Sequence, residues 1–312
     1  MNLVFMGSSN FAVASLTALL QSKHKISLVV AQPDKPAGRG NKLTPCPVAE
    51  FAREKGLPLE QPAKVKKNLE LLEQLKQLKP DVIVVVAYGK FLPKEILTLP
   101  PRGCVNVHAS LLPKYRGAAP INWAILNGEE RTGVTTMYMD EEMDEGDILL
   151  QCATDIQPHD TAEALHDHLA IIGSELLIKT LDKMQIEELK GILQDDAEAT
   201  YAPILKKDDG LIDWNLKSAQ IYNQIRGLLP WPKAYTFLPD GQKTQLTVFD
   251  AAPIEVASNQ EPGTVISLDK GITIATGNGQ ILLLEIQLAG KKRMPTSEFV
   301  KGSWLKVGMI FK

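Results

Sequence analysis

The run Asp81–Ala87, DVIVVVA, constrains this chain more than any other short stretch. Successive side chains of an extended strand point to opposite faces, so an unbroken Val/Ile series is apolar on both. Such a strand is stable only in a sheet covered on both sides, which is the arrangement of parallel α/β sheets. Ile26–Gln32 (ISLVVAQ) repeats the pattern, and Leu3–Met6 (LVFM) and Cys104–His108 (CVNVH) read as further strands. Between them, residues 10–21, 48–55 and 68–78 carry helical spacing, the first with Asn10 as its expected cap. The alternation predicts a doubly wound α/β domain whose ligand lies beyond the carboxyl ends of the strands. GVTTMYM and DILLQCATDI add two strands, as a hairpin around MDEGD, and Thr161–Met184 reads as a closing helix.

After about Lys190 the pattern changes. Residues 190–205 read as a linker, and from Lys206 short apolar runs (LTVFDA, GTVISL, ITIAT, ILLLEIQLA) alternate with Gly, Pro and Asn after one helix at Ser218–Arg226. That spacing predicts a small β-barrel of OB type. A length of 312 residues suits two domains, expected at 1–189 and 206–312. The net charge of −3 is unevenly spread: residues 206–312 carry 13 Lys/Arg against 10 Asp/Glu, an excess of +3, leaving −6 for the rest. So small an excess reads as solvated surface charge as readily as a nucleic-acid footprint.

Several classes are disfavoured. No segment approaches the apolar length of a membrane span, and MNLVFMGSSNF lacks the basic and apolar regions of a secretory signal, so a cytoplasmic location and no membrane partner are expected. Cys46, Cys104 and Cys152 are scattered and form no CxxC pair, which indicates neither a disulfide framework nor structural zinc. GSSNFA keeps only Gly7 of a GxGxxG turn, against a dinucleotide dehydrogenase. MDEEMDEGD, read as a calcium loop from Asp140, has Glu145 where the sixth position needs glycine, and no metal is expected.

The candidate chemistry lies in NVHASLLPKYRGAAP, Asn106–Pro120. Asn106 and His108 share a strand face and present an amide donor beside an imidazole, a pair suited to acyl transfer. Asp144, if the MDEGD turn brings it near, would orient the ring and favour its protonated form. The plain alternative is an ordinary packed strand. Cys104 shares that face and raises a Cys–His–Asp hydrolase, but four strand residues place it ~13 Å from His108. A buried, inert thiol is the competing reading. Pro33–Pro47 is a long Pro/Gly loop in which Lys35, Arg39 and Lys42 outnumber Asp34, so it reads either as solvated surface or as a phosphate-contacting arm. Lys291, Lys292 and Arg293, with Trp214, Trp231, Tyr235 and Phe237, form a second basic and aromatic set, which is either barrel core or a nucleic-acid surface.

QPDKPAGRG, PDVIVVVAYGKFLP, NVHASLLPKYRGAAPI, GVTTMYMDEEMDEGDIL, IDW, IRGLLPWPKAY and LQLAGKKRM together resemble the methionyl-tRNA formyltransferase family nearly end to end. The resemblance implies a Rossmann-like formyltransferase domain with a parallel-rich sheet, then an OB-type domain that binds tRNA. It places catalysis on Asn106, His108 and Asp144, and folate contact on Ser110, Leu111, Leu112 and Pro113. The loop at Pro33–Pro47 would meet the tRNA acceptor arm, with Arg39 important for recognition. The implied cosubstrate is 10-formyltetrahydrofolate, the implied partner initiator methionyl-tRNA, and the expected state a monomer. A 10-formyltetrahydrofolate-dependent enzyme acting on a nucleotide or sugar amine is the alternative activity. Lys90 replaces a commonly aliphatic residue, and Lys114 and Tyr115 fall at variable positions.

Overall fold

The computed structural model describes residues 1–37, 42–186 and 189–311. Two units divide the chain: the first comprises residues 1–120, 131–155 and 166–202, the second 121–130, 156–165 and 203–312.

In the first unit, seven strands form one sheet: β1 (Asn2–Gly7), β2 (Lys25–Val30), β3 (Leu59–Glu60), β4 (Val82–Val86), β5 (Cys104–His108), β6 (Arg131–Tyr138) and β7 (Ile148–Asp155). Their order is β7-β6-β5-β4-β1-β2-β3. The strands from β3 to β5 pair in parallel, while β6 and β7 run antiparallel. Helices α1 (Asn10–Gln21), α2 (Pro47–Glu54) and α3 (Leu69–Leu78) lie between the parallel strands in sequence, and α4 (Ala162–Ile186) follows the antiparallel pair.

Every residue of β4 is buried, as a run apolar on both faces requires. Val4, Met6, Leu28, Val30, Ile83, Val85 and Cys104 join Leu71 and Leu75 of α3 in one core on one face. The alternating Leu3, Phe5, Val82, Val84 and Val105 are equally buried on the other. Each such aliphatic side chain contributes roughly 1.5–3 kcal/mol by leaving water.

Asn68 caps α3 by accepting the Leu71 N–H at 3.1 Å. Helix α1 departs from expectation: its cap position is Ser9, without a side-chain capping bond, and Asn10 is its first exposed helical residue. Within Pro33–Pro47, Lys35–Ala37 and Lys42–Thr44 pair as an antiparallel ribbon. Asp34 clasps its base by accepting from Cys46 N at 3.1 Å and from Gln61 Nε2 at 2.9 Å, and the Gln61 bond is the first cause holding its carboxyl below the usual range.

Residues 190–202, in the stretch expected to join the domains, belong to the first unit. Ile192 bridges Ile148, and Tyr201–Ala202 pairs in parallel with Arg116–Gly117.

In the second unit, helix α5 (Ser218–Gly227) precedes β8 (Ala234–Phe237), β9 (Gln245–Ile254), β10 (Val265–Ser267), β11 (Ile272–Ala275), β12 (Gln280–Leu288) and β13 (Met294–Pro295). These strands pair antiparallel with one another, in the order β8-β9-β12-β11-β10 with β13 on β12, an OB-like sheet. Its core gathers Trp214, Ile221, Val248, Ile274, Leu283 and Phe311.

Candidate active site

Strand β5 delivers the first two candidate side chains. Asn106 lies opposite Val85 of β4 and Met137 of β6, and His108 lies opposite Thr135 of β6. The two-residue strand period puts both on one face at the carboxyl end of the parallel strands. The turn between β6 and β7 carries Asp144 to them. Asn106 Nδ2 donates to Asp144 Oδ1 at 3.5 Å, and His108 Nδ1 lies 3.6 Å from Asp144 Oδ2. That same Oδ2 accepts the Gly117 N–H at 2.8 Å.

Two different residues make the turn possible. A Cβ on Gly146 would collide with the Tyr138 carbonyl, so glycine is needed there for space. The left-handed backbone belongs instead to Asp144, at φ 58°. Gly146 therefore supplies room and Asp144 itself supplies the bend.

His108 is buried, its side chain 6% exposed against 16% for Asp144. Its Nε2 sits 2.9 Å from the Tyr115 carbonyl oxygen, which can only accept, so Nε2 is the donor. Its Nδ1 faces the Asp144 carboxylate at 3.6 Å, beyond hydrogen-bond distance. An amide donor, a ring able to hold a proton and a carboxylate beside it can stabilise a developing oxyanion and relay a proton.

The segment Ser110–Pro113 is held by its backbone. Thr135 Oγ1 donates to Ser110 O at 2.7 Å and accepts the Leu112 N–H at 3.1 Å, while Gln151 Nε2 donates to Leu112 O at 2.8 Å. Ser110 Oγ donates to Lys114 O at 2.6 Å. These bonds hold the segment as a rim beside His108.

Three supporting residues escaped sequence reasoning: Thr135, Arg116 and Gln194. Gln194 Nε2 donates to the carbonyls of Asp144 and Gly146, both at 2.8 Å, and its Oε1 accepts from Arg116 Nε at 3.1 Å. Arg116 is 2% exposed and ion-paired with Asp196 at 2.8 Å. A fully buried arginine two residues after a lysine leaves no periodic signal, and Gln194 lies in the stretch 190–205 expected as linker.

Cys104 takes no part. It is buried, its Sγ contacts the carbonyls of Ile96 and Leu97 at 3.7 Å, and burial pushes its thiol up to about 12, so no thiolate is available at neutral pH. Lys35 Nζ donates to Gln32 Oε1 at 2.6 Å; Arg39 lies outside the described residues, and of Lys42 only the backbone strand is described. In the second unit Trp214 is core, whereas Trp231 is 55% exposed. Phe249 there carries two cation contacts, Arg293 at 4.3 Å and Lys233 at 5.0 Å from its ring centre, and Arg226 lies 5.6 Å from the Tyr222 ring centre. A recess of about 850 Å³ lined by Asp81, Arg102, Gly103 and Tyr138 opens where β4 and β5 begin, at the opposite edge from the candidate residues. No cluster of three or more His, Cys, Asp or Glu able to hold a metal occurs among the described residues, and no described helix is long and apolar enough to cross a membrane.

Residues 1–181 match the sequence profile described as formyl transferase, and residues 204–303 match that of its C-terminal domain. Methionyl-tRNA formyltransferase of Caldanaerobacter subterraneus subsp. tengcongensis is 49% identical over 312 residues, all of this chain and all of that protein. The protein of the same name from Desulforamulus reducens is 47% identical, covering 99% of this chain and 97% of its own. Among solved structures, an N-formyltransferase from Helicobacter canadensis in complex with folinic acid and dTDP-3-aminofucose has a TM-score of 0.67 at 20% identity, covering 90% of this chain and 98% of its own. HypX from Aquifex aeolicus in complex with tetrahydrofolic acid has a TM-score of 0.64 at 19% identity, and this chain spans about half of it, 50%, while 99% of this chain is covered. At such identities the two structures share a fold with this chain.

Proposed function

The chain belongs to the formyl transferase family, and we propose that it carries the formyl group of 10-formyltetrahydrofolate to the α-amino group of initiator methionyl-tRNA. The observation that carries this reading is the meeting of Asn106, His108 and Asp144 at the carboxyl end of β5, in a chain 49% identical end to end to a protein of that activity.

In this reading the methionyl amine attacks the formyl carbon, and negative charge develops on the formyl oxygen as positive charge develops on nitrogen. Asn106 Nδ2 and His108 Nδ1 are the donors for that oxygen, while Nε2 stays on the Tyr115 carbonyl. Asp144 holds the ring and helps move the amine's proton towards the departing folate nitrogen, directly or through a water. The folate is a cosubstrate consumed at each turnover, bound along Ser110, Leu111, Leu112 and Pro113, and the proposed steps use no metal. Lys35, Arg39 and Lys42 of the basic arm meet RNA phosphates, and the C-terminal OB-like domain binds the rest of the tRNA. The enzyme acts as a monomer in the cytoplasm.

The test is formation of acid-stable formyl-methionyl-tRNA from 10-formyltetrahydrofolate, with uncharged tRNA, free methionine and a dTDP-amino sugar as parallel acceptors. Product with the charged tRNA alone supports the reading. Product with the sugar instead would replace it with the small-amine alternative.

A further inference from the structure

Asp144 occupies a left-handed backbone conformation at φ 58°, which a non-glycine residue keeps only where its surroundings hold it. Two buried side chains do so. Gln194, 6% exposed, spends both N–H groups of its amide on the carbonyls of Asp144 and Gly146, on either side of Glu145. Its remaining amide oxygen accepts from Arg116 Nε. Arg116 in turn reaches Asp196 at 2.8 Å and Glu145 at 3.5 Å.

The arginine's own backbone leads directly to the Asp144 carboxylate. Gly117, the next residue, donates its N–H to Asp144 Oδ2 at 2.8 Å. Arg116 and Gly117 are fixed in turn by the parallel pairing with Tyr201 and Ala202, where Arg116 N donates to Thr200 O at 2.8 Å. One end of this network therefore sets the peptide under Asp144, and the other sets the donor that aims its carboxylate.

We infer that Arg116 and Gln194 are a positioning pair that sets the Asp144 carboxylate against His108, making residues 194–202 a working part of the site. The inference rests on the formyl-transfer reading for its kinetic consequence, but its geometric content stands apart from the identity of the acceptor. Both residues act through Asp144.

Gln194→Glu tests the pair with almost no change of shape. It exchanges the doubly donating NH₂ for an oxygen facing two carbonyl oxygens, while the second carboxylate oxygen can still accept from Arg116. The expected result is a kcat about 10- to 100-fold lower with both KM values within roughly two-fold of wild type, because orientation is lost and binding is kept. A second readout needs no substrate: the ring ¹⁵N signals of His108 in the full ¹⁵N-histidine-labelled chain, assigned through His108→Asn. They are expected to move in Gln194→Glu and in Arg116→Lys, which retains the charge and loses the Nε donor.

Unmoved His108 signals in both folded variants would overturn the inference, even with a lowered thermal midpoint, since a purely structural role predicts that pattern. If Gln194→Glu does not fold, Arg116→Lys carries the same decision. A wild-type chain that formylates no methionyl-tRNA would sink the proposed activity, and the His108 signals would still decide whether the pair positions Asp144.

Discussion

His108 donates its Nε2–H to the carbonyl oxygen of Tyr115 at 2.9 Å, so the segment that follows β5 turns back to hold the ring that ends it. Tyr115 takes a left-handed conformation, φ 61°, and its N–H donates to Thr200 Oγ1 at 2.9 Å. The ring's position is thereby tied to residue 200 as well as to Asp144. Rigid placement of this kind turns an ordinary imidazole into an oriented one.

Replacing His108 or Asn106 by alanine should lower kcat by about 100- to 1000-fold, the usual cost of losing one oxyanion donor, with folate affinity little changed. Single-turnover formylation alongside a folate-binding titration separates the two effects. Wild-type turnover in either folded variant would remove the proposed oxyanion site.

Cys104→Ala should keep most activity. Its thiol is buried and pushed up to about 12, so it offers neither a nucleophile nor a proton donor at working pH. A folded Cys104→Ala chain that binds both substrates and does not turn over would reinstate the cysteine mechanism.

Thr135→Val keeps the side chain's shape but deletes the hydroxyl that joins Ser110 O to the Leu112 N–H. Leaving such buried groups unpaired costs about 1–3 kcal/mol. Urea denaturation should register that loss, and folate affinity should fall as the Ser110–Pro113 rim loosens. Unchanged affinity with reduced stability would separate the rim from folate binding.

His24 sits with its ring fully buried, its Nε2 3.2 Å from Asp182 Oδ1 and its Nδ1 3.4 Å from the Met1 amine, with Lys23 nearby. Burial, then the positive Met1 amine, hold its pKa below the ordinary 6.5. The unfolded chain therefore binds a proton that the folded ring resists, so this contribution is fully present above pH 6.5 and is lost as pH falls through the lower folded value. Thermal midpoints of His24→Gln measured across that range should decline less steeply with acid than those of wild type. Parallel curves would rule the residue out as a source of acid sensitivity.

Arg39→Ala should impair use of methionyl-tRNA and leave folate affinity nearly unchanged, on the basis of the arm's excess positive charge. Added salt should raise the wild-type KM for tRNA, and loss of a phosphate contact should flatten that dependence. A base-edge contact would instead relax discrimination among tRNAs. Unaltered KM, kcat and tRNA preference would shift recognition to the C-terminal domain.

The parallel sheet was legible in the sequence because Val82–Val86 leaves a strand no polar face to expose. Asn106 and His108 were legible for a related reason: strand period alone puts residues two apart on one side, and the bend of MDEGD marks where a carboxylate can return. What only the tertiary structure decided is which distant backbone meets that turn. Gln194 lies 50 residues beyond Asp144, and Thr200 lies 85 beyond Tyr115. Neither contact has a spacing rule: one is a side-chain amide meeting two turn carbonyls, and the other flanks a short parallel pairing of Arg116 with Tyr201. Periodicity encodes how a segment meets water. It does not encode which buried amide will satisfy a carbonyl many residues away, since that partner is chosen by the packed geometry.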